Sequence, residues 1–204
     1  KDEAFAGQRV PTLEEVLDRA KDTIGLYIEL KNNDPDQSLQ ETVAGFIRSR
    51  PEMTPRCMQQ LTEIILRNES IDIRLTKAVI DQLDKRRMKS QVTIQSFSPI
   101  ICAAVVGIDP AIRVELLGKP ELTPQAWDNF RRWAEIASAW GCNIEKSVLT
   151  PERISQLHGD EKTIAVWTVD TFENIRRFAD WGIDAIITNK PKDCLNTLKE
   201  MGKR

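Results

Sequence analysis

Two charged side chains, Glu29 and Lys31, stand at alternate positions in the segment GLYIELKNNDPDQ, residues 25–37. Positions 26, 28 and 30 are apolar, so the alternation predicts a strand with one apolar face and one charged face. A carboxylate is a preferred ligand of a hard divalent cation, and an ammonium neutralises charge on a phosphate group. The alternation alone leaves two interpretations open: the solvated face of an edge strand, or the lining of an active site.

The composition is that of an ordinary globular domain, and it argues against several classes of partner. The chain has 204 residues, 41% of them hydrophobic and 29% charged, with a net charge of −2. This length predicts a single domain over residues 1–204. The slight acidity argues against nucleic acid as a partner, and no apolar run approaches the roughly 18 residues of a transmembrane helix. The four cysteines lack the CxxC spacing of a zinc site.

The elements that must position Glu29 and Lys31 alternate between strands and helices. Strands are predicted near residues 26–30, 91–97, 112–117, 142–145, 163–169 and 184–189. Helices are predicted between them, and two of these begin with the Thr-Pro pairs at Thr123 and Thr150. The segment from Lys31 to Val92 is about sixty residues long, more than a single crossover helix needs. It is therefore predicted to hold an insertion.

Strands that alternate with helices predict a parallel sheet, either doubly wound or closed into a (β/α) barrel. No glycine-rich phosphate loop follows a strand, so a nucleotide-binding doubly wound sheet has little support. A barrel normally has eight strands and about 250 residues, two strands more than are predicted here. Polar and aromatic residues recur where strands end, which is where barrels carry their chemistry. They are Glu29, Lys31, Gln95, Ser96, Phe97, Glu115, Glu145, Trp167, Asp170, Thr188 and Asn189.

Four segments in this order resemble the glycerophosphodiester phosphodiesterase family. They are RVPTLEEVL, LYIELK, IQSF and VWTVDTFENIRRFADWGIDAIITNKP. The family typically reads P-T-L-E-E-V-L, an E-I-K strand, S-F, then W-T-V-N and G-V-D-G-I-I-T-D-x-P. The resemblance runs from about Val10 to Pro191 and implies a TIM (β/α)8 barrel of the phospholipase C-like phosphodiesterase type. On this resemblance, six of the eight strands are expected in this chain, and the domain over residues 1–204 is expected to be incomplete at its N-terminus.

The resemblance also assigns roles to the two charged residues of the first paragraph. In the family, the glutamate of E-I-K is a ligand of a divalent cation, Mg²⁺ or Ca²⁺, and the lysine reaches the substrate phosphate. Carried over, Glu29 is a metal ligand, and Lys31 is a catalytic and substrate-binding residue. Trp167 and Phe97 are expected to form an apolar wall beside the glycerol group. The implied reaction is hydrolysis of a small-molecule glycerophosphodiester to glycerol phosphate and an alcohol.

The sequence departs from the family in features on which catalysis depends. Family members begin with strands that carry H-R-G, E-N-T and H-D motifs, whose two histidines act as general acid and base. These motifs are expected to lie before Lys1, so residues 1–204 alone are expected to be inactive. The chain's one histidine, His158, is expected at a helix end on the opposite face of the barrel. Asp170 replaces a frequent asparagine of the family, and Asn189 replaces a frequent aspartate.

Two alternatives to the enzyme remain open. The first is a non-catalytic relative that keeps a phosphate pocket and binds a ligand or partner. The second is a different barrel enzyme that uses Lys31 as a Schiff-base nucleophile. A Schiff-base lysine needs a depressed pKa, and the carboxylate of Glu29 on the same face works against this. The oligomeric state and the choice between a periplasmic, secreted or cytoplasmic location are left open by the sequence.

Overall fold

The computed structural model describes residues 6–32, 37–50, 52–119 and 123–203. Strands in these residues are β1 (Leu26–Glu29), β2 (Val92–Ser96), β3 (Arg113–Gly118), β4 (Gly141–Glu145), β5 (Thr163–Trp167) and β6 (Ala185–Ile186). Helices are α1 (Leu13–Ala20), α2 (Gln37–Arg48), α3 (Pro55–Leu66), α4 (Ile71–Arg86), α5 (Pro99–Ile108), α6 (Pro124–Ile136), α7 (Pro151–Gly159), α8 (Phe172–Asp180) and α9 (Pro191–Glu200). The alternation predicted from the sequence is therefore confirmed.

The strands form one parallel sheet whose spatial order is the order of the chain, from β1 to β6. The sheet curls into a half-barrel with β1 and β6 at its edges. A doubly wound sheet reverses its strand order at a switch point, and this sheet does not. The prediction of a TIM-barrel fold with six of its strands in this chain is confirmed.

The helix starts follow the capping chemistry that the sequence predicts. The hydroxyl oxygens of Thr123 and Thr150 accept from backbone N–H groups of α6 and α7, and a proline occupies the first turn of each helix. Thr12 and Glu15 form a reciprocal capping box at the start of α1. These caps satisfy N–H groups that lack a partner within the helix, so each crossover helix begins at a defined residue.

The long connection between β1 and β2 consists of α2, α3 and α4. Leu61 and Ile65 of α3 and Leu83 of α4 are fully buried, and α3 and α4 pack against α5. The predicted insertion is thus a helical layer on the outside of the sheet. It adds to the core and leaves the inner face of the sheet open.

Gly141 is placed where a side chain has no room. A Cβ at this position would lie 2.2 Å from Thr163 Oγ1 and 2.8 Å from the backbone oxygen of Thr163. Because the backbone of β5 cannot move away freely, Gly141→Ala is expected to lower the free energy of unfolding by about 1–3 kcal/mol. Gly45→Ala is the matched control, since nothing lies within 4 Å of its Cβ in α2. This control is expected to be neutral or stabilising by about 1 kcal/mol, and urea unfolding of both variants measures the difference.

Candidate active site

A cavity of about 220 Å³ opens at the carboxyl ends of the strands. It is lined by Glu29, Gln95, Phe97, Leu117, Asn143, Trp167, Thr168 and Ile187. These residues come from or directly follow β1 to β6, because side chains at alternate positions of each strand point to the inner face. The structure therefore brings together Glu29, Phe97 and Trp167, to which the resemblance gave roles, and Gln95, one of the strand-end residues.

Glu29 ends β1 and is exposed. Its Cα is directly opposite that of Gln95 on β2, so the two side chains lie on the same face of neighbouring strands. Lys31 follows two residues later and is also exposed, outside the set of residues that line the cavity. Because successive side chains of a strand point to opposite faces, Lys31 lies on the same side as Glu29, at the rim of the half-barrel.

The aromatic residues form one wall of the cavity. The rings of Phe97 and Trp167 meet edge to face, with centroids 6.0 Å apart and an interplanar angle of 82°. The indole Nε1–H of Trp167 donates to the backbone oxygen of Asn143 at 3.1 Å, which fixes the ring. Lys119 Nζ lies 5.6 Å from the Phe97 centroid, so a second ammonium stands near the mouth. Lys119 was not predicted from the sequence. It lies at alternate positions with Glu115 and Leu117 of β3, and this spacing could have indicated that it faces the same side of the sheet.

Below Glu29, a polar network crosses the inner face of the sheet. The phenolic O–H of Tyr27 donates to Glu115 Oε1 at 2.9 Å. Asn143 Nδ2 donates to Gln95 Oε1 at 2.7 Å. Glu115 is 2% exposed and Asn143 fully buried, so both sit in surroundings that weaken competition from water. The sequence had suggested Glu115 as a cavity residue but gave no signal for Asn143.

Burial raises the pKa of Glu115, and the neighbouring donors Tyr27 and Asn143 oppose that rise only in part. The pKa in the folded chain therefore lies above the value of about 4.3 in the unfolded chain. Between these two values the folded state binds more protons than the unfolded state, so this glutamate makes stability fall as pH rises.

Replacing Glu115 by glutamine removes this titration. The free energy of unfolding of the wild type, relative to that of Glu115→Gln, is expected to fall between pH 4 and pH 7. Urea unfolding at several pH values measures the difference. Glu135→Gln, at an exposed position of α6, is the control and is expected to show no such slope. A parallel pH dependence in wild type and Glu115→Gln would contradict the role of burial.

His158 lies at the other end of the half-barrel, as the sequence predicts. It stands in the last turn of α7, and its Nε2 is 3.0 Å from Asp184 Oδ2, just before β6. Asp184 Oδ2 also accepts from the backbone N–H of Ile164 near the start of β5. The strands run from this end toward the cavity, so His158 is separated from Glu29 by the length of the sheet.

Asp170 and Asn189, the two departures from the family pattern, contact each other. Asp170 accepts from the side-chain Nδ2 of Asn189 at 2.9 Å and from its backbone N–H at 2.7 Å. The hydroxyl of Thr188 donates to Asp170 as well. These hydrogen bonds, led by the Asn189 side chain, lower the pKa of Asp170. Asp170 and Asn189 thus stand where the family often has Asn and Asp, and their hydrogen bonds link the segments that follow β5 and β6.

The residues described by the structure do not by themselves compose a metal site. No group of three His, Cys, Asp or Glu side chains in them comes close enough to hold an ion. Glu29 is the acidic residue among those that line the cavity. One exposed carboxylate is a weak site for a cation that prefers six or more oxygen ligands.

Comparison with known proteins places the chain in a family. The model of the glycerophosphoryl diester phosphodiesterase family matches residues 1–193. Because the match covers nearly the whole chain, this protein belongs to the glycerophosphoryl diester phosphodiesterase family. The resemblance seen in the sequence is thereby confirmed.

Individual relatives agree with this assignment. The glycerophosphodiester phosphodiesterase of Bacillus subtilis (strain 168) is 24% identical over 191 residues, which cover 92% of this chain and 53% of that protein. The chain thus spans about half the length of this relative. A glycerophosphodiester phosphodiesterase from Parabacteroides distasonis has the same fold, with a TM-score of 0.66 and 22% identity over 96% of this chain and 67% of its own.

A more distant structure contains a ligand. A phosphodiesterase of Oleispira antarctica, in complex with its product sn-glycerol-3-phosphate, matches with a TM-score of 0.54 and 12% identity. The match covers 62% of this chain and 50% of that protein.

The helices in the described part of this chain include none long and apolar enough to cross a bilayer.

Proposed function

We propose that the protein acts on glycerophosphodiesters, hydrolysing them to glycerol phosphate and an alcohol, and that the cavity at the carboxyl ends of the strands is where the ester binds. The observation that carries the proposal is the convergence of Glu29, Phe97 and Trp167 on one cavity in a chain of this family. The Oleispira antarctica phosphodiesterase, which binds sn-glycerol-3-phosphate, supports a ligand of the same class.

Lys31 is the residue to which we assign the phosphate. Its ammonium is exposed at the rim, where a flexible side chain can reach a phosphoryl oxygen above the cavity. A positive charge there stabilises the additional negative charge that develops on the phosphoryl oxygens during displacement. The faces of Trp167 and Phe97 provide an apolar wall for the carbon atoms of glycerol.

Glu29 is proposed as one ligand of a divalent cation, Mg²⁺ or Ca²⁺. Such a cation, when bound, polarises a phosphoryl oxygen and orients the ester. Since no second acid in the described residues joins Glu29, the remaining ligands must come from elsewhere, from water or the ester itself. The contribution of this chain's own residue is a carboxylate held beside Gln95 at the end of β1.

Among the described residues that line the cavity, Glu29 is the one titratable group, and none is a histidine that could act as acid or base. The chain has one histidine, and it pairs with Asp184 at the opposite end of the sheet. We therefore propose that residues 1–204 alone bind the ester without turning it over. This observation also favours a second candidate function, a non-catalytic domain that binds phosphate esters.

An assay with ³¹P NMR separates these possibilities. The natural polypeptide from its own cells is compared with residues 1–204, using glycerophosphodiesters of several alcohols with Mg²⁺, Ca²⁺ or chelator. Appearance of a phosphomonoester signal with the natural polypeptide, but not with residues 1–204, is the expected result. Binding without turnover by the natural polypeptide would support the binding domain. Neither binding nor turnover would contradict both.

A further inference from the structure

Two side-chain amides lie side by side in the cavity, next to Glu29. Gln95 and Asn143 both line it, and Asn143 Nδ2 donates to Gln95 Oε1 at 2.7 Å. The Cα of Gln95 faces the Cα of Glu29 across the β1–β2 pair. Neither amide belongs to the residues to which the proposed function assigns a role.

The Glu115 carboxylate, below the cavity, influences the orientation of the Asn143 amide. Glu115 Oε1 accepts from the Tyr27 hydroxyl, whereas Glu115 Oε2 and Asn143 Oδ1 are buried without a hydrogen-bond partner in the described residues. The nearby Asn143 side chain lowers the pKa of Glu115 against the larger effect of burial. A carboxylate repels a second oxygen, so Glu115 favours the orientation in which Asn143 presents its NH₂ group, the group that donates to Gln95 Oε1. The backbone oxygen of Asn143 is held in turn by Trp167 Nε1.

The orientation of Gln95 follows from that of Asn143. Because Asn143 presents an N–H, Gln95 must present its carbonyl oxygen, and its NH₂ end points the other way. In the part of the chain that the structure describes, no hydrogen bond is formed by Gln95 Nε2. Gln95 is partly exposed where it lines the cavity. Its two N–H groups are thus free to meet a ligand.

From this geometry we propose that Gln95 donates a hydrogen bond to a phosphoryl oxygen of the bound ester and that Asn143 is the residue that positions it. The proposal rests on the proposed function, and it adds a neutral donor to the charge of Lys31. Phosphoryl oxygens only accept hydrogen bonds when ionised, so an amide that shows only its NH₂ end matches them. Since the amide is already oriented, binding does not have to reorganise it.

The first test replaces the donor by an acceptor of the same shape. Gln95→Glu is expected to weaken binding of sn-glycerol 3-phosphate to the protein at least tenfold in calorimetric titration, because a hydrogen bond to a charged group becomes a repulsion. Gln60→Glu, on an exposed turn of α3, makes the same change of charge and is expected to bind as the wild type does. Equal affinities of Gln95→Glu and Gln60→Glu would overturn the proposal.

The second test asks whether Asn143 acts through Gln95. Gln95→Met and Asn143→Leu remove the polar groups at similar volume, and each is expected to lower the affinity. In the double variant, the second substitution is expected to add less than twofold, since both changes disable one donor. If the fold losses in affinity of the two single variants multiply in the double variant, Asn143 affects binding by another route and its positioning role is overturned.

A measurement on the unaltered protein guards against variants that fail to fold. The side-chain ¹⁵NH₂ signal of Gln95 is expected to shift on titration with sn-glycerol 3-phosphate and to stay in place with glycerol. If the ester binds saturably and the Gln95 signal does not shift, the proposal is overturned. Weaker binding in Lys31→Met but not in Gln95→Glu would overturn it while the proposed function stands. A wild type that binds no phosphate ester would overturn both.

Discussion

Replacing Lys31 by methionine is expected to weaken the binding of sn-glycerol 3-phosphate by roughly 10- to 100-fold, the range of a hydrogen bond between charged groups. Methionine keeps most of the length and the apolar stem of the side chain, and it removes the ammonium. Lys31 is exposed at the carboxyl end of β1, so the folded structure does not depend on its charge. Calorimetric titration at low salt measures the change.

The matched control is Lys21→Met. Lys21 is exposed and precedes β1, so this variant loses the same charge at the other end of the strand. Its affinity for the ester is expected to fall less than twofold, through the change in net charge alone. If Lys21→Met and Lys31→Met lose the same affinity, the assignment of Lys31 to the phosphate is wrong.

Replacing Glu29 by glutamine is expected to act in the opposite direction when no divalent cation is present. A carboxylate a few ångströms from a phosphate repels it, so Glu29→Gln is expected to bind sn-glycerol 3-phosphate more tightly, by on the order of tenfold. Mg²⁺ or Ca²⁺ is expected to improve binding to the wild type, because a cation held by Glu29 screens this repulsion. In Glu29→Gln that improvement is expected to disappear.

The measurement is a pair of titrations of each protein, with chelator and with excess divalent cation. Glu14→Gln, at an exposed position of α1, is the control and is expected to keep the cation effect. A cation effect of equal size in Glu29→Gln and wild type would show that Glu29 does not take part in cation binding.

The order of elements was predictable because local physics determines it. Period-two and helical patterns separate strands from helices, and caps such as Thr123 and Thr150 define where helices begin. Parallel strands joined by helices then leave few topologies, and the polar strand ends favoured the barrel over a doubly wound sheet. The predicted last strand, near residues 184–189, is regular only at Ala185–Ile186. As an edge strand it has neighbours on one side only.

The site was predictable only where the family motifs carried it. Glu29, Phe97 and Trp167 were placed by resemblance, whereas the contact of Asn143 with Gln95 depends on the register of β2, β3 and β4. A one-residue shift in register would separate these side chains, and the sequence does not determine register across crossovers of this length. Sequence alone therefore gives the strands but not which polar groups meet between them.

The exchange of Asp170 and Asn189 illustrates the same limit. Taken one at a time in the sequence, each residue is a departure that puts a motif in doubt. In the structure they are hydrogen-bonded to each other at 2.9 Å. This contact depends on the pairing of β5 with β6, which the sequence alone does not give.

A phosphate-ester site in this cavity is tested most directly by following NMR signals of the cavity residues while an ester is added. The chain has five tryptophans, so a ¹⁵N-labelled sample gives five indole N–H signals, with that of Trp167 assigned through Trp167→Phe. Titration with sn-glycerol 3-phosphate is expected to shift the Trp167 signal saturably and to leave that of Trp140, beside the start of β4, in place. No shift of Trp167, or a shift of Trp140 in its stead, would contradict a phosphate-ester site at the carboxyl ends of these strands.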